Sequence, residues 1–157
     1  IALAACPSSG SEFVSASGRF RVDMGAKPTE LIHSGDRNLL EFRYSAKESG
    51  GTYRVTRTDY PQAFESPDKL KDQLNRVRIK FVLEFSAKNI QESTVKRAGL
   101  TGYEFQFFSA ELKNMVRYRV HYVGKREYTV QAIGSKDFVN HPKASEFLDS
   151  FAVLTEP

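Results

Sequence analysis

The sequence predicts an α+β domain built on a mostly antiparallel sheet, packed with one long helix and one short C-terminal helix. Three observations carry this reading. From Arg19 onward, apolar and polar residues alternate with period two in several short stretches, as in half-buried strands. Two segments switch to helical spacing, a long one after Ser66 and a short one near the C-terminus. Strands and helices do not alternate regularly, so nothing demands a parallel, doubly wound sheet. The 157 residues, 40% of them hydrophobic, suit a single domain that buries about two-thirds of its unfolded surface, and no repeat at solenoid spacing divides it.

The first 18 residues stand apart. Ile1 to Ala5 is small and apolar, Cys6 follows, and Pro7 to Gly18 holds five Ser and a single charge, Glu12. Leu3-Ala4-Ala5-Cys6 resembles the lipobox of bacterial lipoproteins, in which small residues lie extended in a peptidase groove and the cysteine takes a diacylglyceryl thioether. That resemblance implies a signal-peptide remnant at residues 1–5 and a lipidated Cys6, and the composition boundary adds a Ser-rich tether over 6–18 and a single domain at 19–157. Two or more acyl chains would hold the protein stably on a membrane. The alternative is a small-residue N-terminus that meets a cysteine by chance. As the chain's one cysteine, Cys6 has no partner for an internal disulfide.

Within the domain, Phe20, Val22 and Met24 alternate with Arg19, Arg21 and Asp23. Phe42, Tyr44 and Ala46 alternate with Glu41, Arg43 and Ser45, then Tyr53 and Val55 with Arg54 and Thr56. Gly50-Gly51 between the last two runs marks a hairpin turn. At Ser66-Pro67-Asp68 a Ser suits the N-cap, a Pro the first helical position and an Asp the positive end of the helix dipole. Leu70, Leu74, Val77, Phe81 and Phe85 then form one stripe, which packs on a sheet as core. Strand patterns return at 93–97, 103–108 and 115–123, the last turning at Gly124-Lys125-Arg126 into 127–133. Asn140-His141-Pro142 starts the closing helix, whose face is Ala144, Phe147, Leu148 and Phe151.

Several stretches resemble the PsbP-like family: Gly18-Arg19-Phe20-Arg21-Val22, Tyr53-Arg54-Val55 with Asp59-Tyr60-Pro61, Leu100-Thr101-Gly102-Tyr103-Glu104-Phe105, Arg117-Tyr118-Arg119-Val120, and Phe147-Leu148-Asp149-Ser150-Phe151. The resemblance spans about residues 18 to 155. It implies an α/β/α sandwich around an antiparallel sheet, and a non-enzymatic accessory or assembly role beside membrane complexes. It carries over no catalytic residue.

The residues themselves offer little chemistry. His33-Ser34 lacks a Gly-x-Ser-x-Gly elbow and falls in a polar segment read as a loop. His121 and His141 have no second ligand at metal spacing and read as a solvated and a capping histidine. No phosphate-cradling glycine run occurs, and no cofactor or metal is expected. A net charge of +4 and like-charge runs of two at most point away from nucleic acid.

One feature remains, the polar side of the alternating strands. In register, Arg19, Arg21, Arg43, Arg54, Arg117, Arg119 and His121 would share one face, opposed by Asp23, Glu41, Glu104 and Glu127. Cross-strand ion pairs that keep an open face soluble are one reading. The other is an interaction face made by Arg43, Arg54, Arg117, Arg119 and His121, docking an acidic protein surface or an anionic lipid headgroup through bidentate guanidinium contacts. The expectation is a lipid-anchored protein of the bacterial envelope, facing the periplasm or exterior, that binds rather than catalyses. A small-ligand carrier or enzyme with a pocket between the long helix and the sheet is the alternative.

Overall fold

The computed structural model describes residues 12–97 and 99–154. Cys6, residues 1–5 and the first part of the tether lie outside them. The described chain runs β1 (Glu12–Ser15), β2 (Phe20–Asp23), β3 (Thr29–Ser34), β4 (Leu40–Glu48), β5 (Gly51–Asp59), α1 (Pro67–Phe85), β6 (Ala87–Arg97), β7 (Leu100–Ser109), β8 (Asn114–Val123), β9 (Arg126–Gly134), α2 (Lys136–Asn140), α3 (Pro142–Ser150) and β10 (Ala152–Val153). Seven strands form an antiparallel sheet in the order β3-β4-β5-β9-β8-β7-β6, and β1-β2-β10 form a small second sheet. The architecture is α+β and mostly antiparallel, as the alternation predicts.

The long helix starts where its sequence says it should. Ser66 Oγ accepts from Lys69 N at 3.2 Å and Pro67 opens the first turn, a cap worth about 1 kcal/mol. Leu74, Val77 and Phe81 of its stripe are buried against Phe105, Phe107, Val116, Tyr118, Val120 and Ile133 of the large sheet. Phe81 sits at the centre, its ring 5.0 Å from Phe105, 4.7 Å from Phe107 and 4.8 Å from Tyr118. On the reverse face, α2, α3 and the small sheet cover Tyr44, Ala46, Tyr53, Val55, Tyr128, Val130 and Ala132. The sheet is thus sandwiched between two layers.

Four elements differ from the sequence reading. Glu12–Ser15, placed by composition in the tether, is a strand paired to β2. Ser15 is buried, donates to Tyr44 Oη at 3.2 Å and accepts from Gly18 N, and the Phe13 ring lies 5.6 Å from that of Tyr44. The Ser-rich composition hides this Phe-x-Ser alternation, so the domain begins before residue 19. His33 lies in edge strand β3, held by pairing to β4 although that strand is mostly exposed. β6 starts at Ala87 because the chain leaves α1 through a left-handed Ser86 straight into the strand, with a bulge near Asn89. Finally, α2 is a five-residue helix capped by Ser135, too short to show a periodicity.

Candidate functional site

The five arginine and histidine side chains expected on one face lie on two. Arg119 pairs with Val130, Val130 with Val55, and Val55 with Tyr44, so Arg119, Arg117 and His121 share the face covered by α3. Arg54 stands opposite Ser45 and Gln131, and Arg43 opposite Thr56, which puts both on the α1 face. The reason is a switch of phase between β9 and β8. Tyr128, Val130 and Ala132 of β9 pack under α3, whereas Val116, Tyr118 and Val120 of β8 pack under α1. Alternation within each strand is as read, but the sheet has no single apolar face.

Arg117, Arg119 and His121 do not form an open docking surface. Arg119 is 3% exposed and His121 2%. Glu104, opposite Arg119 on β7, accepts from Arg117 at 2.9 Å through Oε1 and from Arg119 at 2.6 Å through Oε2. Arg117 also donates to Val139 O and Ser145 Oγ, and Arg119 to Leu148 O and to Asp149 at 2.9 Å. The cluster fastens the closing helix to the sheet. Burial alone would raise the Glu104 carboxyl, but the hydrogen bonds from Arg119 and Arg117 outweigh it and hold the group below its ordinary value. His121 stacks on Phe151 with centroids 5.4 Å apart and its Nδ1 meets Thr101 O at 3.2 Å. Burial, with Arg119 nearby, pushes its pKa down to about 4. His141 caps α3, accepting from Lys143 N through Nδ1.

The α1 face is polar where the helix does not cover it. Across it run rows His33–Glu41–Thr58–Glu127 and Arg43–Thr56–Thr129, then Ser45–Arg54–Gln131. Glu127 is buried, and Gln73 from α1 donates to its Oε2 at 2.9 Å and to Tyr60 Oη at 2.9 Å. Burial pushes the Glu127 carboxyl up, against the pull of the Gln73 hydrogen bond. His33 Nε2 lies 3.1 Å from Glu41 Oε2, and Arg43 3.7 Å from the same oxygen. Two small cavities of about 70 and 80 Å³ open here between α1 and the strands.

A larger cleft of about 440 Å³ lies at the end of the sheet, within the size range of small-molecule pockets. Its floor is apolar, with Leu100, Val123, Tyr128 and Phe151 among the lining residues. Its lining also includes Arg19, Arg97, Lys125 and Arg126 and no acidic side chain among the described residues. The β6–β7 and β8–β9 turns bring Arg97 and Lys125-Arg126 to the same end. Arg97 reaches Asp149 at 3.2 Å and Arg126 reaches Asp59 at 3.8 Å, both side chains staying partly exposed. The sequence reading missed this site. Its signal was a basic dipeptide at each of two turns, Lys96-Arg97 and Lys125-Arg126.

The chain is similar in structure to the cyanobacterial PsbP protein (CyanoP) of Synechocystis sp. PCC 6803, with a TM-score of 0.63 at 15% identity over 96% of this chain and 98% of that one. It also overlaps a protein of Bacteroides thetaiotaomicron, with a TM-score of 0.49 at 12% identity, over 95% of this chain and 50% of that one. No family model and no curated protein matches the sequence. The fold is PsbP-like.

Proposed function

We propose that this PsbP-like domain is a non-enzymatic binding or assembly module of the bacterial envelope, held at the membrane through lipid on Cys6, which docks an acidic protein surface of a membrane-associated complex in the cleft at the end of its sheet. The observation that supports it is the lining of that cleft, four cations beside an apolar floor and no acidic side chain among the described residues. Apolar floors supply affinity, and a basic rim selects and steers an acidic partner. This moves the docking surface from Arg117, Arg119 and His121, which the fold consumes internally, to Arg97, Lys125 and Arg126.

Two measurements test the reading. The full chain, purified with its complex from solubilised native membranes, is compared with an Arg97→Glu/Lys125→Glu variant. The partner should co-purify at low salt, and should be lost in the variant and at high salt, because exposed charge pairs are screened. A partner retained under both conditions overturns the cleft. Intact mass of the same preparation should show Cys6 carrying a thioether-linked diacylglycerol; an unmodified Cys6 overturns the anchor.

A further inference from the structure

We propose that the groove between α1 and strands β4, β5 and β9 is a small-anion site, in which Arg43 and Arg54 together grip the carboxylate or phosphate group of a free small ligand. It lies on the sheet face opposite α3 and stands independently of the docking cleft.

The register makes the pair. Arg43 faces Thr56 and Arg54 faces Ser45, so the two guanidinium groups are diagonal neighbours on adjacent strands. Both line the same cavity of about 80 Å³, room for an oxyanion and little more. Arg54 donates through Nε to Ser45 Oγ at 3.3 Å, and no carboxylate among the described residues pairs with it. Among the described residues, the carboxylate contact of Arg43 is the long 3.7 Å one to Glu41, which His33 already engages more closely. The Arg43 Nε is buried and makes no hydrogen bond among the described residues. The other acid of the groove, Glu84, is paired with Lys80 at 3.9 Å.

A second observation points to a ligand. Gln131 is 6% exposed and lines the same cavity. It spends its amide nitrogen on Thr129 and leaves Oε1 buried without a hydrogen bond among the described residues. Buried polar atoms are ordinarily satisfied, and two residues that each carry an unsatisfied one line this cavity, which points to a polar guest. The guest's oxyanion would take the guanidinium forks and its hydroxyl, ammonium or protonated oxygen would donate to Gln131. Burial and the charge of Arg43 both pull the Arg54 pKa below its ordinary value, which an anion between them would relieve. Guanidinium suits this task because its planar fork matches carboxylate and phosphate geometry.

The test uses the whole chain labelled with ¹⁵N and titrated separately with inorganic phosphate and with acetate, against chloride at matched ionic strength. The Arg43 and Arg54 Nε–Hε signals should shift saturably with phosphate, acetate or both, and the responding anion gives the ligand class. Arg43→Gln and Arg54→Gln should each weaken binding about tenfold or more, the loss expected for a charge-assisted hydrogen bond, while Arg76→Gln leaves it unchanged. If Arg54→Gln does not fold, Arg54→Lys keeps the charge, loses the fork and should show the same loss. No saturable shift with either anion, an equal response to chloride, or unaltered affinity in the Arg43 and Arg54 variants overturns the site.

Discussion

Gly102 and His121 stand opposite each other on β7 and β8, and the imidazole occupies the space that a Cβ on residue 102 would need. The ring is fixed from three sides, by Phe151, by Thr101 O and by the bare backbone of Gly102. Gly102→Ala therefore forces His121 off its position or bends the strand pair, at a cost of about 1–3 kcal/mol. Urea unfolding of the variant measures it. In a Gly102→Ala/His121→Ala double variant the two costs should add to less than their sum, because the clash is gone.

The same histidine makes stability depend on pH. Its pKa is about 4 in the fold, against 6.5 for the ordinary group, so between those values the unfolded chain binds more protons. Its contribution is complete above pH 6.5 and is lost as pH falls toward 4, up to about 3 kcal/mol. Glu127, whose carboxyl is raised by burial, acts with the opposite sign, favouring the fold as pH falls through the carboxylate range. Unfolding free energies of the native chain and His121→Gln, taken at pH 4.5 and 7, separate the two: the native chain loses more stability on acidification than the variant. Equal losses would show that another group titrates.

The particular elements show what a sequence can carry. α1 was legible from end to end, because a Ser-Pro-Asp start and a five-residue apolar stripe are local signals that the fold does not override. The β4–β5 and β8–β9 hairpins were legible for the same reason. Which face each strand turns to was not. The alternation of β8 is as regular as that of β9, yet its apolar side meets α1 whereas that of β9 meets α3. Only the inter-strand register decides this, and register is a non-local property. Arg119 consequently reads as an exposed charge in sequence and is buried in the fold. The cleft was hidden differently, since Arg97 and Arg126 lie 29 positions apart and meet only because two hairpins end on the same side.

Phe81 tests whether α1 is held by its stripe or by its polar contacts. It is fully buried among the rings of Phe85, Phe105, Phe107 and Tyr118, so Phe81→Ala should cost about 3–5 kcal/mol through lost transfer energy and the cavity left behind. Ser66→Ala, which removes only the cap, should cost about 1 kcal/mol. A denaturant series on the two variants reads the ratio, and similar losses would mean that packing does not dominate.

Glu104 tests whether the arginines under α3 are structural. Arg119 is buried with Glu104 and Asp149 as its carboxylate partners, and Arg117 is held by Glu104 beside neutral acceptors. Removing Glu104 leaves one buried cation with a single carboxylate and the other with none. Such a break typically costs about 3–5 kcal/mol, because the remaining charge is desolvated without compensation, although the intact pair adds little net stability. Glu104→Ala should therefore destabilise strongly, and Glu104→Gln only somewhat less, since the amide keeps a hydrogen-bond acceptor but no charge. Replacing all three residues by apolar ones, Glu104→Leu/Arg117→Met/Arg119→Leu, should recover much of the loss. Unfolding free energies of the three variants decide the matter: a triple variant no more stable than Glu104→Ala would mean that the network contributes through its own attraction and not through the avoidance of an unpaired charge.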